Sequence, residues 1–144
     1  MSKPLLVLDT NVVLDLLYFD DPATRPLLRA LESGRVRCGV TDTTFGEWRR
    51  VLDYPDFALD PARQTALVAR YRELSTVVEQ GEAIAGLPRC SDPDDQKFIE
   101  LAASGAQTLV SKDRAVLKLR RRCAPLFQVM TPAEAVRWLA TALP

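Results

Sequence analysis

Apolar positions along the chain fall into short continuous runs separated by longer stretches of helical spacing. Leu5-Leu6-Val7-Leu8 is such a run, the pattern of a strand covered on both faces. A helix follows to about Tyr18. Asp21 as N-cap, Pro22 at the first position and Gly34 past the end mark a second helix. Val36–Val40 reads as the second strand, and Thr41 to about Asp53 as a helix stopped by Tyr54-Pro55. Residues 61–79 carry Leu67, Tyr71, Leu74 and Val78 on one stripe, which predicts a single amphipathic helix. Gln80 to Cys90, with Gly81, Gly86 and Pro88, reads as a loop. A helix from Ser91-Asp92-Pro93 to Gly105, a strand at Thr108-Leu109-Val110 and a helix from Asp113 to about Arg122 come next. The strand Leu126–Met130 and a helix opened by Pro132 complete the series.

Strands that alternate with helices predict an α/β fold, a three-layer α/β/α sandwich around a parallel sheet of four or five strands. The strand C-termini of such a sheet share one edge, where open α/β sheets bind ligands. The length of 144 residues suits one domain spanning 1–144, without internal repeats. No apolar run approaches the ~20 residues of a membrane span. The first apolar run is too short for a signal-peptide core, so the expected location is cytoplasmic, with no membrane partner.

Composition narrows the chemistry sharply. The chain contains no histidine, which excludes Ser-His-Asp triads, Cys-His pairs, His-ligated zinc and the paired-histidine route of metal-free ribonucleases. Cys38, Cys90 and Cys123 are odd in number and lack a CxxC, so a disulfide frame or thiolate site is not expected. Carboxylates, amines, hydroxyls or an oxygen-held metal remain.

Acids gather where the strands should end. Asp9-Thr10-Asn11 follows the first strand, Glu47 lies one turn into the helix after the second, and Ser111-Lys112-Asp113 ends the strand at 108–110. Asp92, Asp94 and Asp95 open a helix whose N-terminus is free to face the same edge. Each acid taken alone has a helix-capping explanation; Thr44-x-x-Glu47 and Asp92-x-x-Asp95 both fit a capping box. Together they conflict. Carboxylates on neighbouring strands stand ~5 Å apart and repel by roughly 3 kcal/mol at an effective dielectric near 20. Lys112 and Arg114, immediate neighbours of Asp113, should point elsewhere, so the pocket is expected to lack protein cations. An all-oxygen donor set of this kind suits Mg²⁺ or Mn²⁺ shared with a phosphate, a nuclease-type arrangement.

Leu8-Asp9-Thr10-Asn11-Val12, Glu47, Asp95-x-x-Phe98-x-x-x-Ala102 and Leu109-Val110-Ser111-Lys112-Asp113 resemble, in order, the four signatures of PIN domains. The stretches Glu47–Leu52 with Pro55-Asp56-Phe57, and Cys90–Phe98, resemble a branch of toxin components of bacterial toxin–antitoxin systems. The resemblance implies a Mg²⁺- or Mn²⁺-dependent endoribonuclease with Asp9, Glu47, Asp95 and Asp113 as catalytic, metal-binding acids. It implies cleavage of single-stranded RNA to a 5′-phosphate and a 3′-hydroxyl. It also implies a cognate antitoxin as partner, and homodimers are common in the family. Asn11 would brace the loop after the first strand, Ser111 would support the acids, and Asp92 would act as a helix cap in support.

Net charge is zero, unlike that of a strong non-specific nucleic-acid binder. Even so, 15 of the 19 basic residues are arginine, whose fork matches phosphate. Arg49, Arg50, Lys112 and Arg114 are the candidate RNA contacts; Lys118–Arg122 reads first as a solvated helix end. Trp48 and Trp138 read as core. An aspartyl-phosphate phosphatase would want an acid where Asn11 stands, and a receiver domain would want an acidic pair before the first helix. A non-catalytic module that binds RNA or protein is the remaining alternative.

Overall fold

The computed structural model describes residues 3–142. Five strands, β1 (Leu5–Leu8), β2 (Arg37–Val40), β3 (Ser75–Val77), β4 (Thr108–Val110) and β5 (Gln128–Met130), form one sheet in the order β3-β2-β1-β4-β5. Every pairing is parallel. The helices are α1 (Thr10–Leu17), α2 (Arg25–Glu32), α3 (Asp42–Leu52), α4 (Pro61–Leu74), α5 (Gln96–Ala103), α6 (Arg114–Leu117), α7 (Arg120–Cys123) and α8 (Pro132–Ala142).

Alternation along the strands sends side chains to two cores. Leu6, Leu8, Cys38 and Val40 face α1, α2, α3, α4 and α8, around Trp48, Leu27 and Tyr71. Val7, Leu109 and Val129 face the other way, onto Phe98, Ile99, Val116 and Cys123 of the α5–α7 layer. The expected three-layer α/β/α sandwich is therefore present, with five strands. Trp48 is buried and donates its indole N–H to the Leu67 carbonyl at 3.1 Å. Trp138 packs half-buried against the same core, and the three cysteines are buried and unbridged.

Three segments depart from the sequence reading. The helix expected over 61–79 ends at Leu74, and Ser75–Val77 pairs with β2 through Cys38↔Ser75 and Val40↔Val77. The stripe that suggested helix ran past the true end into a β-branched run, and extended geometry already begins at Ser75, with ψ 160°. The expected helix over 113–122 is broken into α6 and α7 around Leu119. The second helix begins with a 3-10 turn, Pro22–Thr24, capped by Asp21 and followed by α2; Gly34 beyond it takes the left-handed φ of 77°.

The chain grows outward from β1 through β2 to β3 and then returns to the other side of β1 as β4 and β5. That reversal makes the β1–β4 boundary the switch point, where a crevice opens beyond the strand C-termini. Leu8 pairs with Val110 there, and Asp9 N–H donates to the Val110 carbonyl at 3.0 Å.

Candidate active site

Four segments deliver acids to this crevice. Asp9 leaves β1 with extended angles and caps α1, its Oδ1 accepting a long 3.4 Å bond from the Asn11 N–H. Its Oδ2 accepts from the hydroxyl of Ser111, fully buried just beyond β4, at 2.7 Å. The same hydroxyl accepts the Asp113 N–H at 3.0 Å, so one side chain ties both acid-bearing loops together. Asp113 Oδ1 in turn caps α6 by accepting from Ala115 N–H at 2.8 Å. Asp92 caps the 3-10 turn Pro93–Asp95 through the Asp94 N–H at 3.0 Å. Asp95, at the end of that turn, makes no side-chain cap bond to α5.

The structure brings Asp92, Asp95 and Asp113 together, each offering an oxygen within 4.8 Å of the others. Asp9 and Glu47 lie beyond that trio, although Asp9 is close enough to feel the charges of both Glu47 and Asp113. Capping therefore explains one oxygen of Asp9, Asp92 and Asp113, but it does not explain Asp95. The second expected capping box is also absent: α3 is closed by Thr41 with Thr44, and Glu47 takes no part. A threonine at Thr44 reaches the Thr41 N–H itself, at 3.0 Å, so no glutamate is needed.

Electrostatics single out Asp95. Its Oδ2 is sealed from solvent and has no hydrogen-bond partner. Burial, then a shared hydrogen bond with the Asp113 carboxyl, then the charges of Asp9, Asp113 and Asp92 push its pKa up to about 8. Burial likewise raises Asp9, partly offset by the bonds from Ser111 and Asn11. Buried polar atoms are nearly always paired, so an orphaned carboxylate oxygen in a nest of acids signals a missing positive group. The donors fit a hard divalent cation. The Cys90 thiol beside them is held protonated, by burial first and by those acids next, and offers no thiolate.

One acid is different, and here the expectation of a pocket without protein cations is corrected. Glu47 Oε1 accepts from Lys97 Nζ at 2.7 Å, and its Oε2 accepts from the Thr10 hydroxyl. Lys112 does turn away from Asp113, but its ammonium pairs with the nearly buried Asp15 of α1 at 2.7 Å. Asn11 is exposed and reaches Asp9 only through its backbone N–H. Arg50 and Arg114 are exposed, and Arg49 lies over the Phe45 ring, 5.3 Å from its centroid.

Sequence reasoning missed Lys97, Thr10 and Asp15. Signals for two of them existed. A lysine in the first turn of a helix opposes the dipole and calls for an acid to hold it. An aspartate inside the apolar run Val12–Leu16 calls for a cation.

A parallel sheet whose switch point collects uncompensated carboxylates defines an acid-centred α/β domain. Residues 5–115 match the PIN domain family, and the chain belongs to it. PIN domains are nucleases as a class, bind RNA and typically use divalent metals. No curated protein matches the chain. Among the described residues, no helix is long and apolar enough to cross a membrane.

Proposed function

We propose that this chain is a divalent-metal-dependent endoribonuclease acting on single-stranded RNA, with Mg²⁺ or Mn²⁺ as cofactor. The observation that carries this reading is the buried, unpartnered Oδ2 of Asp95 among three other aspartates. Asp92, Asp95 and Asp113 bring their oxygens together and would hold the ion, with Asp9 close enough to share its charge. When bound, such an ion supplies a Lewis acid that offsets phosphate charge and makes water more acidic. In hydrolysis, water adds to phosphorus and the P–O3′ bond breaks, leaving a 5′-phosphate and a 3′-hydroxyl.

The chain's own part is orientation. Ser111 holds Asp9 Oδ2, the Asn11 N–H reaches Asp9 Oδ1 at a long 3.4 Å, and the Ala115 N–H holds Asp113 Oδ1, so both carboxyls are set in place beside Asp95. Arg49, Arg50 and Arg114, with Lys112, are the proposed backbone contacts to RNA, since guanidinium forks match phosphate and stack on unpaired bases. The toxin–antitoxin setting, with a cognate antitoxin and homodimers, draws support from the resemblance of the Glu47–Phe57 and Cys90–Phe98 stretches.

Cleavage of a mixed RNA pool with and without EDTA, for wild type and Asp113→Asn, tests the reading. Cutting should require the divalent ion and fall about a hundredfold or more in the variant, a loss of about 3 kcal/mol of transition-state stabilisation. Cutting that survives EDTA would overturn it. The Glu47–Lys97 pair favours a second reading, a module that binds RNA without cutting; Asp9→Asn should then leave RNA binding intact with no cleavage to lose.

A further inference from the structure

Lys97 is the second residue of α5, where the helix N-terminus disfavours a cation. It is nonetheless held on three sides. Nζ donates to Glu47 Oε1 at 2.7 Å and to the Asp94 carbonyl, and lies 5.2 Å from the centroid of the Phe98 ring. The side chains of Lys97 and Glu47 are each only 17% exposed. Surface lysines keep a hydrated, mobile ammonium; this one is fixed, and it cancels one acid of the site alone.

The acids therefore divide in two. Among the described residues, Asp9, Asp95 and Asp113, with Asp92 beside them, are paired with no lysine or arginine, and the buried Asp95 Oδ2 has no hydrogen-bond partner. Both oxygens of Glu47 are engaged, one by Lys97 and one by Thr10. A divalent ion on Glu47 would have to expel an ammonium from direct contact or sit against it as a like charge. Neither obstacle exists at Asp95.

Resting on the nuclease reading above, we propose that Lys97 is a positioning residue that stands in for a second metal ion. Its ammonium neutralises Glu47 across α3 and α5, so the centre takes one divalent cation, at the group of Asp92, Asp95 and Asp113 beside Asp9, and Glu47 is not among its ligands. The substitution Lys97→Met would then open a second cation position that the wild type closes.

Calorimetric titration of the full chain with Mn²⁺ alone tests this, without any cleavage assay. Wild type should bind one Mn²⁺, Lys97→Met two, and Lys97→Arg one again. Glu47→Gln should change the wild-type affinity by less than about threefold, whereas Asp95→Asn should weaken it by about thirtyfold or more, the scale of losing a group at the metal. Two ions in wild type, one in a folded Lys97→Met, or Glu47→Gln as damaging as Asp95→Asn would each overturn the role of Lys97 while leaving a metal centre. Absence of any Mn²⁺ binding by wild type would overturn the nuclease reading and this inference with it. Should Lys97→Met fail to fold, the wild-type stoichiometry and the Glu47→Gln comparison decide by themselves.

Discussion

Asp95 and Glu134 are both acids near the start of a helix, yet their surroundings are opposites. At the entrance to α8, Glu134 accepts the Thr131 N–H at 2.9 Å while Thr131 Oγ1 accepts the Glu134 N–H at 3.1 Å, a reciprocal capping box. Arg120 adds two bonds, at 3.0 and 3.1 Å, and these partners hold the carboxyl down at about 2. Asp95 has burial and other acids instead, and rises to about 8. This fold can satisfy a carboxylate when only stability is at stake. Leaving Asp95 unsatisfied costs stability, which is the mark of a group reserved for something that binds.

The contrast can be broken most forcefully with metal. At a hundredfold excess over Kd, a bound ion adds about 2.7 kcal/mol, or roughly 5–10 °C in Tm for a domain of this size. Mn²⁺ should produce such a rise in wild type by scanning calorimetry, and Asp95→Asn, binding about thirtyfold more weakly, should cut it to about a third or less. Glu134→Gln should leave the rise unchanged.

Removing the Ser111 hydroxyl should cost about 1–3 kcal/mol, because it strips a donor from Asp9 and orphans the Asp113 N–H in the same step. Urea unfolding of Ser111→Ala measures it. Glu134→Gln should cost less, about 1 kcal/mol near neutral pH, the usual worth of a cap.

The subtlest difference is in pH. Folded Asp95 keeps its proton up to about 8, whereas an unfolded aspartate releases it near 4. Between those limits the folded chain holds the extra proton, so this residue makes metal-free stability fall as pH rises. Glu134 has the opposite sign: its contribution is present above the ordinary carboxylate range and is lost as pH falls through about 2. Denaturant midpoints of metal-free protein across this range should show Asp95→Asn flattening the neutral limb and Glu134→Gln flattening the acid limb.

Much of this geometry was legible in the residue order. Continuous apolar runs marked β1, β4 and β5, and parallel topology then put the residues after Leu8 and Val110 side by side. Strand β3 was hidden because an edge strand of three residues has no pattern of its own and lay within a helical stripe. Asp95 could be named from its place in an acidic helix start, but its missing partner is a fact of three dimensions. The helix position of Lys97 called for an acid, but which acid was not legible, because the glutamate that holds it is 50 positions away, on another helix. Thr41 and Thr44 misled in a simpler way: either hydroxyl can cap, and local sequence does not say which residue leaves the helix first.

The bond between Ser111 and Asp9 spans 102 positions of chain. Until the fourth strand has been synthesised and docked beside the first, the pocket has neither its hydroxyl clasp nor Asp113. A chain folded only as far as the third strand therefore lacks the assembled acid group. The site is completed late along the chain, when the two distant segments close.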